Sequence, residues 1–130
     1  MRTKVIAVLF ALFLGSVTLP SHASSACTKT GTSGSDRISG TNHADTICAK
    51  GGADYSNAHD ASDEIRGADG SDTLVGGDGA DLLKGGGGND DLFATDSSPS
   101  DTLVGGPGRD RCYGDHGDLF SASCEHKVRV

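Results

Sequence analysis

An aspartate returns every nine residues in this chain, at Asp36, Asp45, Asp54, Asp63, Asp72, Asp81 and Asp90, without interruption. A fixed pitch of that length marks an internal repeat and restricts the fold to stacked copies of one small unit. Aligned on the acid, the nonapeptides from Gly31 to Phe93 read GTSGSDRIS, GTNHADTIC, AKGGADYSN, AHDASDEIR, GADGSDTLV, GGDGADLLK and GGGGNDDLF. Ala94-Thr95 then reads as a two-residue insertion. Two further units follow, Asp96 to Val104 and Gly105 to Tyr113 (GGPGRDRCY), and carry the acid at Asp101 and Asp110. The tail from Gly114 looks like a shortened unit that has lost a residue before Asp118.

Position eight is the second regular feature. It holds Ile38, Ile47, Ser56, Ile65, Leu74, Leu83, Leu92, Leu103 and Cys112. Each unit therefore offers one side chain to a core, so a unit cannot fold alone, whereas stacked units share a narrow continuous core. Glycines gather at positions one, two and four, where a tight turn needs positive φ. The unit reads as a six-residue turn followed by a three-residue strand.

Two nonapeptides, GGDGADLLK and GGGGNDDLF, match the GGxGxDxUx pattern in full, and GADGSDTLV and GGPGRDRCY each miss it by one residue. On these motifs the region from Gly31 to Tyr113 resembles the RTX (repeats-in-toxin) family, in particular its small secreted calcium-binding members. The resemblance implies an all-β fold, a parallel β-roll in which two nonapeptides make one right-handed coil. About five coils are expected, with Ca2+ held between neighbouring turns on each side.

Calcium takes six to eight oxygen ligands at about 2.3–2.6 Å, more than one short turn can supply. In such a roll, residues eighteen apart stack at about the 4.8 Å strand spacing, so aspartates of alternate repeats can grip one ion from both sides. Backbone carbonyls of the glycine-rich turn would complete the shell. This pairing ranks the sites. Asp72 with Asp90 joins two glycine-rich turns and leads, followed by Asp90 with Asp110 and Asp63 with Asp81. Asp81 with Asp101 faces a turn that contains Pro99 and no glycine, which disfavours it. The supporting glycines are Gly67, Gly70, Gly76, Gly77, Gly79, Gly85, Gly86, Gly88, Gly105, Gly106 and Gly108. Asp36, Asp45 and Asp54 belong to units short of glycine and are expected to bind weakly or not at all.

Residues 1–23 have the order of a secretory signal peptide. Arg2 and Lys4 precede the uncharged run Val5 to Leu19, and Ser21-His22-Ala23 offers a cleavage site. That run is shorter than the roughly 18 residues expected of a spanning helix. A second possible cut, after Ala26, would leave Cys27 first, but Ser24 stands where a lipoprotein signal wants a large aliphatic residue. The chain is thus expected to be secreted to the extracellular space by the general route. Its expected organisation is residues 24–30 as an N-terminal cap, 31–113 as the roll, and 114–130 as a degenerate repeat and C-terminal cap.

All 18 acidic residues and nine of the 11 basic ones follow Ala23, leaving a net charge of −9. Such a surface repels nucleic acid and anionic membranes and attracts cations. With no Trp and 20 glycines, a broad hydrophobic core is excluded, so without a cation the chain is expected to be largely disordered. An exported chain with four cysteines implies disulfides. Cys48 and Cys112 would stand roughly 17 Å apart along the roll, beyond bonding reach, which favours Cys27–Cys48 and Cys112–Cys124 as staples at the two ends. The cysteine spacings fit no zinc pattern.

No catalytic constellation appears. The histidines are scattered, no Ser–His–Asp order has a supporting motif, and no GxxxxGK[ST] phosphate loop occurs, so no enzyme activity is expected. A second functional class is a calcium-dependent adhesion module that uses the outer face of the roll on carbohydrate, cell wall or ice. A matched array of threonines would favour it. Thr46, Thr73 and Thr102 share position seven, but Arg37, Tyr55, Glu64, Leu82, Asp91 and Arg111 interrupt them.

Overall fold

The computed structural model describes residues 26–98 and 100–130; the expected signal peptide lies outside the described residues. The described residues wind through twelve strands that fall into two parallel six-stranded sheets. One sheet takes the odd strands in order: β1 (Lys29–Thr30), β3 (Thr46–Gly51), β5 (Glu64–Asp69), β7 (Leu82–Gly87), β9 (Thr102–Val104) and β11 (Leu119–Phe120). The other takes the even ones: β2 (Arg37–Ser39), β4 (Tyr55–Asp60), β6 (Thr73–Asp78), β8 (Asp91–Ala94), β10 (Arg111–Gly114) and β12 (His126–Arg129). This is the expected parallel β-solenoid. It has about six coils rather than five, because β1 and β12 extend the stack beyond the nonapeptides at either end.

Register follows from position eight. Ile47 stands over Ile65, Leu83 and Leu103 in one sheet, and Ser56 over Leu74, Leu92 and Cys112 in the other. Except for Ser56, these side chains form the fully buried core, with Ile38 and Phe120 packed against its ends. Each buried Leu or Ile stabilises the stack by roughly 1.5–3 kcal/mol. A one-residue slip would turn the whole row outward, so the hydrophobic column also sets the register.

Two local expectations are corrected. Middle strands run six residues, not three, because the first three turn residues continue the ladder: Lys50 pairs with Ala68 and Gly51 with Asp69. Turn amides eighteen apart extend that bonding, with Gly52 N–H donating to the Asp69 carbonyl at 2.9 Å and Gly70 N–H to that of Gly87 at 2.8 Å. The insertion also moves. Ala94 is fully buried and pairs with Gly114, so it occupies position one, and the extra length is taken up inside the turn before Asp101.

Both disulfides join the expected partners, Cys27 with Cys48 and Cys112 with Cys124, across Cα distances of 5.8 and 5.9 Å. They lie near opposite ends of the solenoid. By the loop-entropy account each contributes about 3 kcal/mol. Arg129 adds a polar lid at the last coil, donating to the carbonyls of Asp115 and Asp118 while it lies over the Phe120 ring.

Candidate metal centre

The turns stack in two columns, one along each flank of the solenoid. Asp36, Asp54, Asp72, Asp90 and Asp110 follow one another in the first, and Asp45, Asp63, Asp81, Asp101 and Asp118 in the second. After the first member of each column, every position-six carboxylate makes the same contact: its Oδ1 accepts the backbone N–H of the aspartate one coil earlier. Asp90 accepts from Asp72 at 2.9 Å, Asp81 from Asp63 at 2.8 Å, Asp101 from Asp81 at 2.7 Å and Asp110 from Asp90 at 3.0 Å. The same bond links Asp54 to Asp36, Asp63 to Asp45 and Asp72 to Asp54. Stacking at the strand spacing places the carboxylates in columns, and the bond fixes their orientation.

The second oxygen distinguishes the turns. Oδ2 of Asp54, Asp63, Asp72, Asp81, Asp90, Asp101 and Asp110 is buried and has no hydrogen-bond partner among the described residues. A buried ionised carboxylate without a compensating partner is costly, so it either takes up a proton or binds a cation. Burial accordingly pushes Asp81 up to about 7 and Asp90 and Asp101 up to about 6, against the lowering effect of the amide that each accepts. Asp63, Asp72 and Asp110 are raised for the same reason.

Asp36 and Asp45 differ. Thr32 gives Asp36 Oδ2 both its amide (2.6 Å) and its hydroxyl (2.9 Å), and Thr41 does the same for Asp45 (2.7 and 2.9 Å). Thr28 also donates to Asp45 Oδ1 at 2.7 Å, and this bond is the largest cause of its carboxyl falling below the usual range. In these two turns threonine supplies what a cation would otherwise supply.

Backbone shape sets most of the open turns, though not that of Asp101, apart from these two. At position two Gly77, Gly86 and Gly106, and at position four Gly70, Gly79, Gly88 and Gly108, have φ between 103° and 146°. Gly88 shows why no side chain fits there: a Cβ would run into the Gly70 carbonyl one coil away. Position one is closed differently. At Gly67 a Cβ would meet both Asp72 Oδ2 and the Gly85 carbonyl, and Gly76, Gly85 and Gly105 likewise back onto the Oδ2 of Asp81, Asp90 and Asp110. Carbonyl and carboxylate oxygens thus crowd the same narrow space between coils.

The left-handed path begins earlier than the glycine count implies. Lys50, His59, Ala61 and Ala68 adopt φ between 82° and 86° despite their side chains. Each such residue costs on the order of 1 kcal/mol, which the surrounding ladder must offset. Asp54 and Asp63 therefore share the open-oxygen geometry of the glycine-rich turns. So does Asp101, whose turn is rebuilt: Asp96 Oδ2 accepts the Gly79 amide at 2.9 Å, standing in for a turn carbonyl. Asp96 and the two threonines escaped sequence reasoning, although a threonine four residues before the acid in GTSGSD and GTNHAD was the available signal.

These donors suit a hard divalent cation, since every oxygen offered is a carboxylate or a carbonyl. Among the described residues no group of three or more His, Cys, Asp or Glu side chains converges on a point, so backbone oxygens must supply most of any shell. The outer faces carry no matched array: Thr46, Glu64, Leu82 and Thr102 succeed one another along one sheet. No helix among the described residues is long and apolar enough to cross a membrane.

The family model of the RTX calcium-binding nonapeptide repeat (four copies) matches residues 30–55, 59–96 and 100–118. No curated protein and no solved structure matches the chain. The matched segments span most of both turn columns, and the RTX repeat on a β-solenoid points to calcium as the cation. With that register and that extent of match, the chain belongs to the RTX calcium-binding nonapeptide-repeat family.

Proposed function

We propose that this is a secreted calcium-binding protein whose solenoid folds around Ca2+ held between stacked turns. The row of buried, unpartnered Oδ2 atoms from Asp54 to Asp110 carries this reading. Asp72 with Asp90, Asp90 with Asp110 and Asp63 with Asp81 are the leading pairs, and Asp54 and Asp101 join them. A calcium ion there would supply positive charge to carboxylates that the protein has already buried. The turn glycines Gly67, Gly85 and Gly105 keep the space beside those oxygens clear of side chains. Two disulfides and the basic, then apolar, N-terminal run support export to a calcium-rich, oxidising compartment.

If each site has a dissociation constant near 0.1 mM, calcium at about 1 mM stabilises the fold by roughly 1.4 kcal/mol per site. Several sites together are comparable with the whole stability of a small domain. Isothermal calorimetry with calcium, read beside circular dichroism with and without a chelator, tests the reading. The expected result is several bound ions and a large loss of strand signal on chelation. No binding at millimolar calcium, or an unchanged spectrum, would overturn it.

A further inference from the structure

The last turn of the first column is not a nonapeptide. Residues after Phe120 have neither the repeat's glycines nor its aspartate, yet β12 pairs with β10 in full register, Arg111 opposite His126 through Gly114 opposite Arg129. That register puts Glu125 where position six belongs. Its Oε2 accepts the Asp110 amide at 2.7 Å, as Asp110 Oδ1 accepts that of Asp90 at 3.0 Å.

A second oxygen repeats the pattern. The point beside Gly85 where a Cβ would stand is shared by Asp90 Oδ2 and the Gly105 carbonyl. Beside Gly105 the corresponding point is shared by Asp110 Oδ2 and the Ser123 carbonyl. Ser123 is anchored there, because its Oγ accepts the Gly106 amide at 3.0 Å. Between Ser123 and Glu125, Cys124 is buried and bonded to Cys112 in β10. The disulfide thus holds in place a short arm that has none of the repeat's own turn residues.

Asp110 is 1% exposed, and its Oδ2 has no hydrogen-bond partner among the described residues. An open cleft of about 570 Å³ beside this end of the column is lined in part by Asp110, Glu125, Arg109 and His126. Resting on the calcium reading above, we propose that Asp110, Glu125 and the Ser123 carbonyl form an additional site for a divalent, oxygen-seeking cation. Glutamate, one methylene longer than aspartate, reaches the column from an arm that follows Asp110 by only 15 residues instead of 18. Arg109 beside the cleft lowers its net negative charge, so this site is weaker than the one between Asp72 and Asp90. Arg111 adds little to that effect, since its Nε and Nη2 are each engaged by Asp91 at 2.6 Å.

Calorimetric titration of the oxidised protein with calcium chloride, compared with Glu125→Gln, tests the proposal. Glutamine retains an oxygen for the Asp110 amide while losing the charge, and circular dichroism in saturating calcium checks that its fold is kept. The variant is expected to bind one ion fewer, or to bind its weakest ion at least about tenfold less tightly, with the tighter sites unchanged. Identical isotherms for the two proteins would overturn this site while leaving the central turns as calcium sites. Absence of binding by the unaltered protein would overturn both readings.

Discussion

The first two turns and those from Ala49 to Asp110 surround the same aspartate differently. In residues 31–36 and 40–45 the carboxylate is closed by a threonine hydroxyl and amide. From Asp54 to Asp110 the equivalent oxygen is buried with no protein partner among the described residues. The backbone changes with it, since Thr32 and Thr41 lie outside the left-handed region that Lys50, His59 and the later glycines occupy at position two. A repeated aspartate is therefore not a repeated environment. What differs is whether the turn leaves Oδ2 open or satisfies it from within, as the amide and hydroxyl of Thr32 and Thr41 do.

The strongest challenge to this contrast is chelation followed by hydrogen exchange. Amides of residues 67–110 should lose most of their protection in chelator, while those of residues 28–48 retain more, held by threonine caps and the Cys27–Cys48 bond. Uniform loss along the chain would erase the distinction. A smaller effect is expected from single acids. Asp90→Asn should weaken calcium binding by about tenfold or more, whereas Asp45→Asn should leave the number of bound ions unchanged. The latter instead loses charge-assisted bonds from Thr28 and Thr41, lowering stability by about 1–3 kcal/mol with or without calcium. Melting curves at zero and saturating calcium separate the two.

The subtlest test is pH. Asp81, Asp90 and Asp101 have folded pKa values of about 7, 6 and 6, above the 3.8 of an unperturbed aspartate. Their contribution to the chelated fold is therefore fully present below about 3.8 and is lost as pH rises through 6 to 7. Strand signal in chelator should grow on acidification from about pH 8 to about pH 5. Asp45, lowered by its hydroxyl partners, contributes in the opposite sense, losing its share as pH falls through its folded value. A chelated protein that unfolds further over the same acidification would show that the burial of the open carboxylates does not govern its stability.

Much of the architecture was legible because the repeat is local and regular. Ile47, Ile65, Leu83 and Leu103 recur at one position, and a stack is the arrangement that buries them all. The disulfide partners followed from the length of that stack. The finer path of the turns was not legible in the same way. Counting glycines placed the onset of the calcium-type turn near Gly67, whereas Lys50, His59 and Ala61 already follow it. Neighbouring coils hold the backbone there through ladder bonds such as Gly52 to Asp69, overriding the local preference of each residue. Glu125 was hidden for a related reason: only the pairing of β12 with β10 brings it into the column, against its spacing along the chain.

Sequence alone determined the period, the core position, the cation-seeking charge and the family, because each is a property of single residues repeated at a fixed interval. Tertiary structure decided which carboxylate oxygens are satisfied and which remain open. That depends on contacts across a turn and between coils, where a threonine hydroxyl, an Asp96 side chain or a disulfide-held glutamate can replace a repeat residue without keeping its place in the repeat.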